Sequence, residues 1–78
     1  MRVAIKANAR QPVEIRRNWQ IIKAAHPTSR IKGNAHSLQE CRRNFQIWKQ
    51  ENPTSGIDPD AQSDVESERN FRILAGEL

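Results

Sequence analysis

The sequence predicts an all-α protein in which three tandem 26-residue helical units form a compact three-unit bundle or a miniature α-solenoid. Three observations carry that expectation. The 78 residues divide into blocks 1–26, 27–52 and 53–78, in which Ile5, Ile31 and Ile57 coincide, as do Ala9, Ala35 and Ala61. Glu14, Glu40 and Glu66 coincide too, followed by Arg17, Arg43 and Arg69, Asn18, Asn44 and Asn70, and Ile21, Ile47 and Ile73. A period of this size marks stacked supersecondary units, each too small to bury its apolar face alone. Each block also carries a helix-start signal before its periodic apolar residues, and prolines at 27 and 53 stop the first two helices.

Ser37-Leu38-Gln39-Glu40 and Ser63-Asp64-Val65-Glu66 read as capping boxes, in which the serine accepts from an orphan backbone N–H and the glutamate reaches back. In the first unit Gln11 stands at the cap, and Pro12 suits the first helical position because its missing N–H would be unpaired there anyway. Helices therefore start near residues 12, 38 and 64. The first two stop near 24–26 and 50–52, and the third frays around Gly76. The connectors HPTSRIKGNAHS and NPTSGIDPDAQS exceed a tight turn. A brief helical turn opened by Thr28 or Ser29 is expected there, carrying Ile31 inward, with each connector running back along the preceding helix.

A helical wheel sorts the long helices into three faces. Pro12, Ile15, Trp19 and Ile22 form the core stripe. It recurs as Leu38, Cys41, Phe45 and Trp48, and thins to Asp64, Ser67, Phe71 and Leu74. The second face holds the invariant Glu14, Arg17, Asn18 and Ile21. Unit-to-unit packing is the favoured reading, with Glu14 and Arg17 as an (i, i+3) pair and Asn18 bonded to connector backbone. An isoleucine and a glutamate in one patch suit a joint better than a phosphate site. The third face is Arg16, Gln20 and Lys23, repeated as Arg42, Gln46 and Lys49, and lost in the third unit as Glu68, Arg72 and Ala75.

Charge is distributed unevenly along the chain. Residues 1–49 carry eleven Lys and Arg against two acids, whereas residues 50–78 carry two Arg against seven acids. A basic region of this kind attracts nucleic acid or an acidic protein. The expected partner is nucleic acid, DNA or RNA. Arg16, Lys23, Arg30, Lys32, Arg42 and Lys49 are the phosphate contacts, and Gln20 and Gln46 the candidate base contacts. Arg2, Lys6 and Arg10 lie nearby in sequence. The alternative is a protein-interaction module that docks on an acidic partner, or self-associates head-to-tail through its basic first and acidic third units, with an inhibitory role as one outcome.

Other classes find little support in the residues. The only soft metal ligands are His26, His36 and Cys41, whose repeat counterparts Asn52, Gln62 and Ser67 carry none, so no metal or other cofactor is expected. The glutamates belong to caps, no nucleophile has a nearby base, and three glycines form no phosphate loop, so the reading is non-enzymatic. One cysteine permits no internal disulfide and reads as a small buried hydrophobe. No stretch approaches a membrane span, and MRVAIKANAR lacks the apolar core of a signal peptide, so a single cytoplasmic domain, 1–78, is expected.

Overall fold

The computed structural model describes residues 5–78. Three helices of equal length follow one another: α1, Pro12–Ala25, α2, Leu38–Glu51, and α3, Asp64–Glu77. Their starts coincide with the expected caps. The Ser37 and Ser63 hydroxyls accept from the Glu40 and Glu66 N–H at 3.1 and 3.2 Å, and Gln11 with Glu14 forms a capping box ahead of Pro12.

The segments before the helices are the distinctive part. Segment 27–37 lies antiparallel to the helix that follows it, and its bonds to that helix shorten steadily in sequence separation. The Ser29 hydroxyl and Arg30 N–H donate to the Glu51 carboxylate at 2.6 and 2.9 Å. The Lys32 N–H donates to Asn44 Oδ1 at 2.8 Å, while Asn44 Nδ2 donates back to the Lys32 carbonyl at 2.9 Å. The His36 N–H reaches Glu40 at 3.1 Å. The strap therefore runs from the C-terminal end of α2 back to its N-terminus; it passes between the two helices, tied to the preceding one by Lys23 and bonded chiefly to the following one.

The expected helical turn at Thr28 and Ser29 is absent, replaced by separate turns at 27–28 and 33–34. The Arg30 and Lys32 N–H groups go to side chains of α2 and the Ile31 N–H to Ser29 Oγ, which removes the i to i−4 ladder a helix needs. Ile31 is nonetheless carried inward and is buried, as is Ile57.

The asparagine clamp occurs three times with the same geometry. Asn18 exchanges two bonds with the backbone of Lys6, both at 2.8 Å, and Asn70 does the same with Asp58, also at 2.8 Å. All three asparagines are at most 1% exposed. A side-chain amide offers the same donor and acceptor as a peptide, so each clamp imitates one rung of a strand ladder. Only backbone is used at the partner position, which explains why Lys6, Lys32 and Asp58 can differ there.

Units close on one another through the aromatic slot. Trp19, Phe45 and Phe71 meet in a nearly equilateral triangle, with ring centroids 5.2, 5.3 and 5.4 Å apart and tilted planes. All three are fully buried. The third unit thus touches the first, and of the two expected forms the chain takes the compact bundle, 25 × 21 × 20 Å. The helices run side by side in the same sense, because Ser29 bonds both to Lys23 near the end of α1 and to Glu51 at the end of α2. Ile15, Ile22, Cys41, Trp48, Leu74 and the three repeat alanines complete the core, whereas Pro12 and Asp64 from the expected stripe are exposed.

The third helix does not fray at Gly76 but continues to Glu77. Its carboxylate accepts from the Ser55 hydroxyl and the Gly56 N–H at 2.6 and 2.8 Å, which repeats the Glu51 arrangement and ties the last turn down.

Two stability predictions follow from these bonds. Asn44→Ala leaves both a donor and an acceptor of the strap unpaired and lowers unfolding free energy by about 3 kcal/mol in urea titration. Ser67 has the opposite sign. Trp19 Nε1–H donates to Cys41 Sγ at 3.3 Å across the first joint; the equivalent pair at the second joint is Phe45 and Ser67, where the ring has no N–H to give. The buried Ser67 hydroxyl has no partner, so Ser67→Ala raises stability by about 1 kcal/mol in the same titration.

Candidate nucleic-acid interface

With Asn18 and Ile15 turned inward, the helix positions left facing solvent are those at 13, 16, 17 and 20 and their repeats. Arg16, Arg17 and Gln20 are exposed on α1, together with Val13, which is 66% exposed. Arg43 and Gln46 are exposed on α2, and Arg42 is half-buried. Each set forms a shallow open recess. Val13, Glu14, Arg16, Arg17 and Gln20 line the first, and Gln39, Glu40, Arg42, Arg43 and Gln46 line the second, 26 residues on.

Among the described residues, Arg16, Arg17, Arg42 and Arg43 are absent from every ion pair. Arg42 goes further: its Nε–H is shielded from solvent and has no partner. A buried donor left unpaired costs free energy, and the terminal guanidinium nitrogens of Arg42 are the groups left for an outside partner.

The remaining expected contacts are placed differently. Lys23 and Lys49 fold back so that their ammonium groups donate to the carbonyls of Ser29 and Ser55. They hold the strap against the preceding helix, and they do not lie with the arginines on the outward stripe. Arg30 and Lys32 are exposed but paired, Arg30 Nε with Glu51 at 3.5 Å and Lys32 Nζ with Glu40 at 2.6 Å. Arg2 lies outside the described residues.

The sequence pattern places Arg17, Arg43 and Arg69 in the joint between units, whereas in the fold all three are exposed. The carboxylate that was to pair with Arg17 is taken: Glu14 accepts from the Arg10 and Gln11 N–H at 3.2 Å each and from the Lys6 ammonium. Arg17 is consequently released to the outer surface, next to Arg16. The available signal was the adjacency of 16 and 17 on the wheel, 100° apart, which lets one stripe take both.

The third unit breaks the pattern at one place. Glu68 stands where Arg16 and Arg42 stand, and it accepts from Arg10 of the first unit at 2.7 Å and from Arg72 at 3.1 Å. Arg10 also reaches Asp64 at 4.0 Å. The repeat assigns the equivalent positions at the other two joints to Arg16 with His36 and to Arg42 with Gln62. One joint is thus charge-matched, while the other two present an arginine opposite a residue that carries no carboxylate.

At the C-terminal ends of the helices a separate recess is lined by His26, Thr28, Ser29, Trp48, Glu51 and Asn52. The His26 ring stands edge-on to Trp48, with centroids 5.1 Å apart. Cys41 is buried against Trp19, and desolvation pushes its thiol up to about 11, the opposite of what a nucleophile needs. Among the described residues no three His, Cys, Asp or Glu side chains converge as metal ligands, and no helix is long and apolar enough to cross a membrane.

Compared with known protein families, curated proteins and solved structures, the chain matches none.

The capping glutamates make stability dependent on acid. The Lys6 ammonium, with the Arg10 and Gln11 N–H groups, lowers Glu14 from 4.5 to about 2. The Lys32 ammonium, with the His36 and Ser37 N–H groups, does the same for Glu40. Because the folded values lie below the unfolded one, this stabilisation is complete above about pH 5 and is lost as pH falls towards 2. The urea midpoint, followed by circular dichroism, therefore declines across that window. Glu40→Gln lowers the midpoint at neutral pH and makes the decline shallower.

Proposed function

We propose that this protein is a non-enzymatic nucleic-acid-binding module that docks through the outward faces of α1 and α2. Arg16, Arg17, Arg42 and Arg43 contact phosphates. Gln20 and Gln46, one turn further along the same stripes, reach sugar or base edges. Arg30 and Lys32 flank the surface and exchange their glutamate partners for phosphate at its margin.

The observation that carries this reading is the pair of equivalent recesses. Each presents two adjacent arginines and a glutamine beside a glutamate already held by a strap lysine, and the arginines have no acidic partner among the described residues. Exposed guanidinium groups that stabilise nothing within the fold are available to a polyanion without breaking anything. Against head-to-tail self-association stands the Arg10 contact with Glu68 and Asp64, by which the acidic third unit already meets the basic first unit inside one chain.

The expected outcome is nucleic-acid binding that weakens steeply with salt. Changing Arg16, Arg17, Arg42 and Arg43 together to Ala should reduce the slope of log K against log salt by about 3 to 4, near 0.9 per lost phosphate contact on a duplex. The helical circular dichroism of that variant is unchanged, since these side chains make no bond in the described fold. No binding at low salt, or binding indifferent to the four substitutions, overturns the proposal.

A further inference from the structure

Resting on the nucleic-acid reading, we infer that the target is a double-stranded backbone and that single strands are bound more weakly. The argument comes from the placement of the aromatic residues. The chain has two Trp, two Phe and no Tyr. Trp19, Phe45 and Phe71 are fully buried in the central triangle and Trp48 is 4% exposed, so none offers a ring face to a base. Proteins that hold single strands without sequence preference obtain much of their affinity from bases stacked on exposed aromatic rings. Here that contribution is missing.

His26 does not replace it. Its ring is engaged with Trp48, in a recess that also holds the carboxylate of Glu51. The Trp48 face of that pair is buried, so no base can stack on it.

What remains for binding is phosphate geometry. The two recesses are related by the internal repeat and sit on parallel, adjacent helices. They present like groups at two fixed places on a rigid body, which suits a backbone whose phosphates are themselves held in position. A single strand would have to be ordered on the surface, at an entropic cost with no stacking to offset it. The docking face is the outward stripe of units one and two, where Arg16, Arg17, Arg42 and Arg43 lie. The longest dimension of the protein, 25 Å, corresponds to about 7 base pairs at 3.4 Å each.

Equilibrium binding of a short DNA duplex, the matching RNA duplex and each separated strand, measured at one low salt concentration, tests this. At least one duplex is expected to bind about tenfold more tightly than its strands, the equivalent of one absent stacking contact. Single strands bound as tightly as duplexes overturn the inference and leave the nucleic-acid reading standing. Failure of every nucleic acid to bind overturns both.

Discussion

Everything in this fold depends on a side-chain amide acting as a strand. Each 26-residue unit has too few apolar residues to hold a helix and a connector together by burial alone, and its connector has no secondary structure of its own. The asparagine at the middle of each helix supplies the missing constraint, by exchanging both its hydrogen bonds with one backbone residue of the strap. Once that rung is set, the strap isoleucine and alanine in units two and three face the helix and are buried. The glutamates at the two ends of α2 then fasten the remaining strap donors. A buried amide without these partners would cost free energy, so the clamp favours the strap conformation as strongly as it favours the helix.

Closure is a second-level consequence. With helices parallel and straps antiparallel, the aromatic slot of each unit points to a common axis, where three rings pack with tilted planes. The triangle removes the free ends that an open array of three units would expose, and a chain of 78 residues gains a single shared core. The symmetry is approximate, and its imperfections are readable. Trp19 has an acceptor in Cys41, whereas Ser67 faces a phenylalanine slot and is left unpaired.

The surface follows from the same framework. Because Glu14 and Glu40 are held by caps and by strap lysines, they cannot neutralise the arginines three residues later. Structural use of the acidic residues is therefore what leaves the outward stripe positive. The lysines have the reverse history. Lys23 and Lys49 belong to the charged stripe by sequence spacing, but their length and flexibility let them turn back to strap carbonyls, while the planar guanidinium groups nearer the middle of each helix remain outward.

The sequence by itself determined the helices, the period and most of the core, because capping boxes, prolines and 3.6-residue periodicity are local signals that need no knowledge of neighbours. It also indicated that Asn18, Asn44 and Asn70 bond to connector backbone, since a polar residue repeated without variation on a helix needs a fixed partner. Tertiary structure alone decided the course of the strap, the survival of α3 past Gly76, and the fate of Arg17 and Lys23. Each of these depends on which of several nearby groups reaches a given donor or acceptor first, and that competition is settled by distances between segments. For the same reason the basic surface lost Lys23 and Lys49 and gained Arg17 and Arg43: a residue's charge is written in the sequence, but whether the charge is free depends on what the fold has placed beside it.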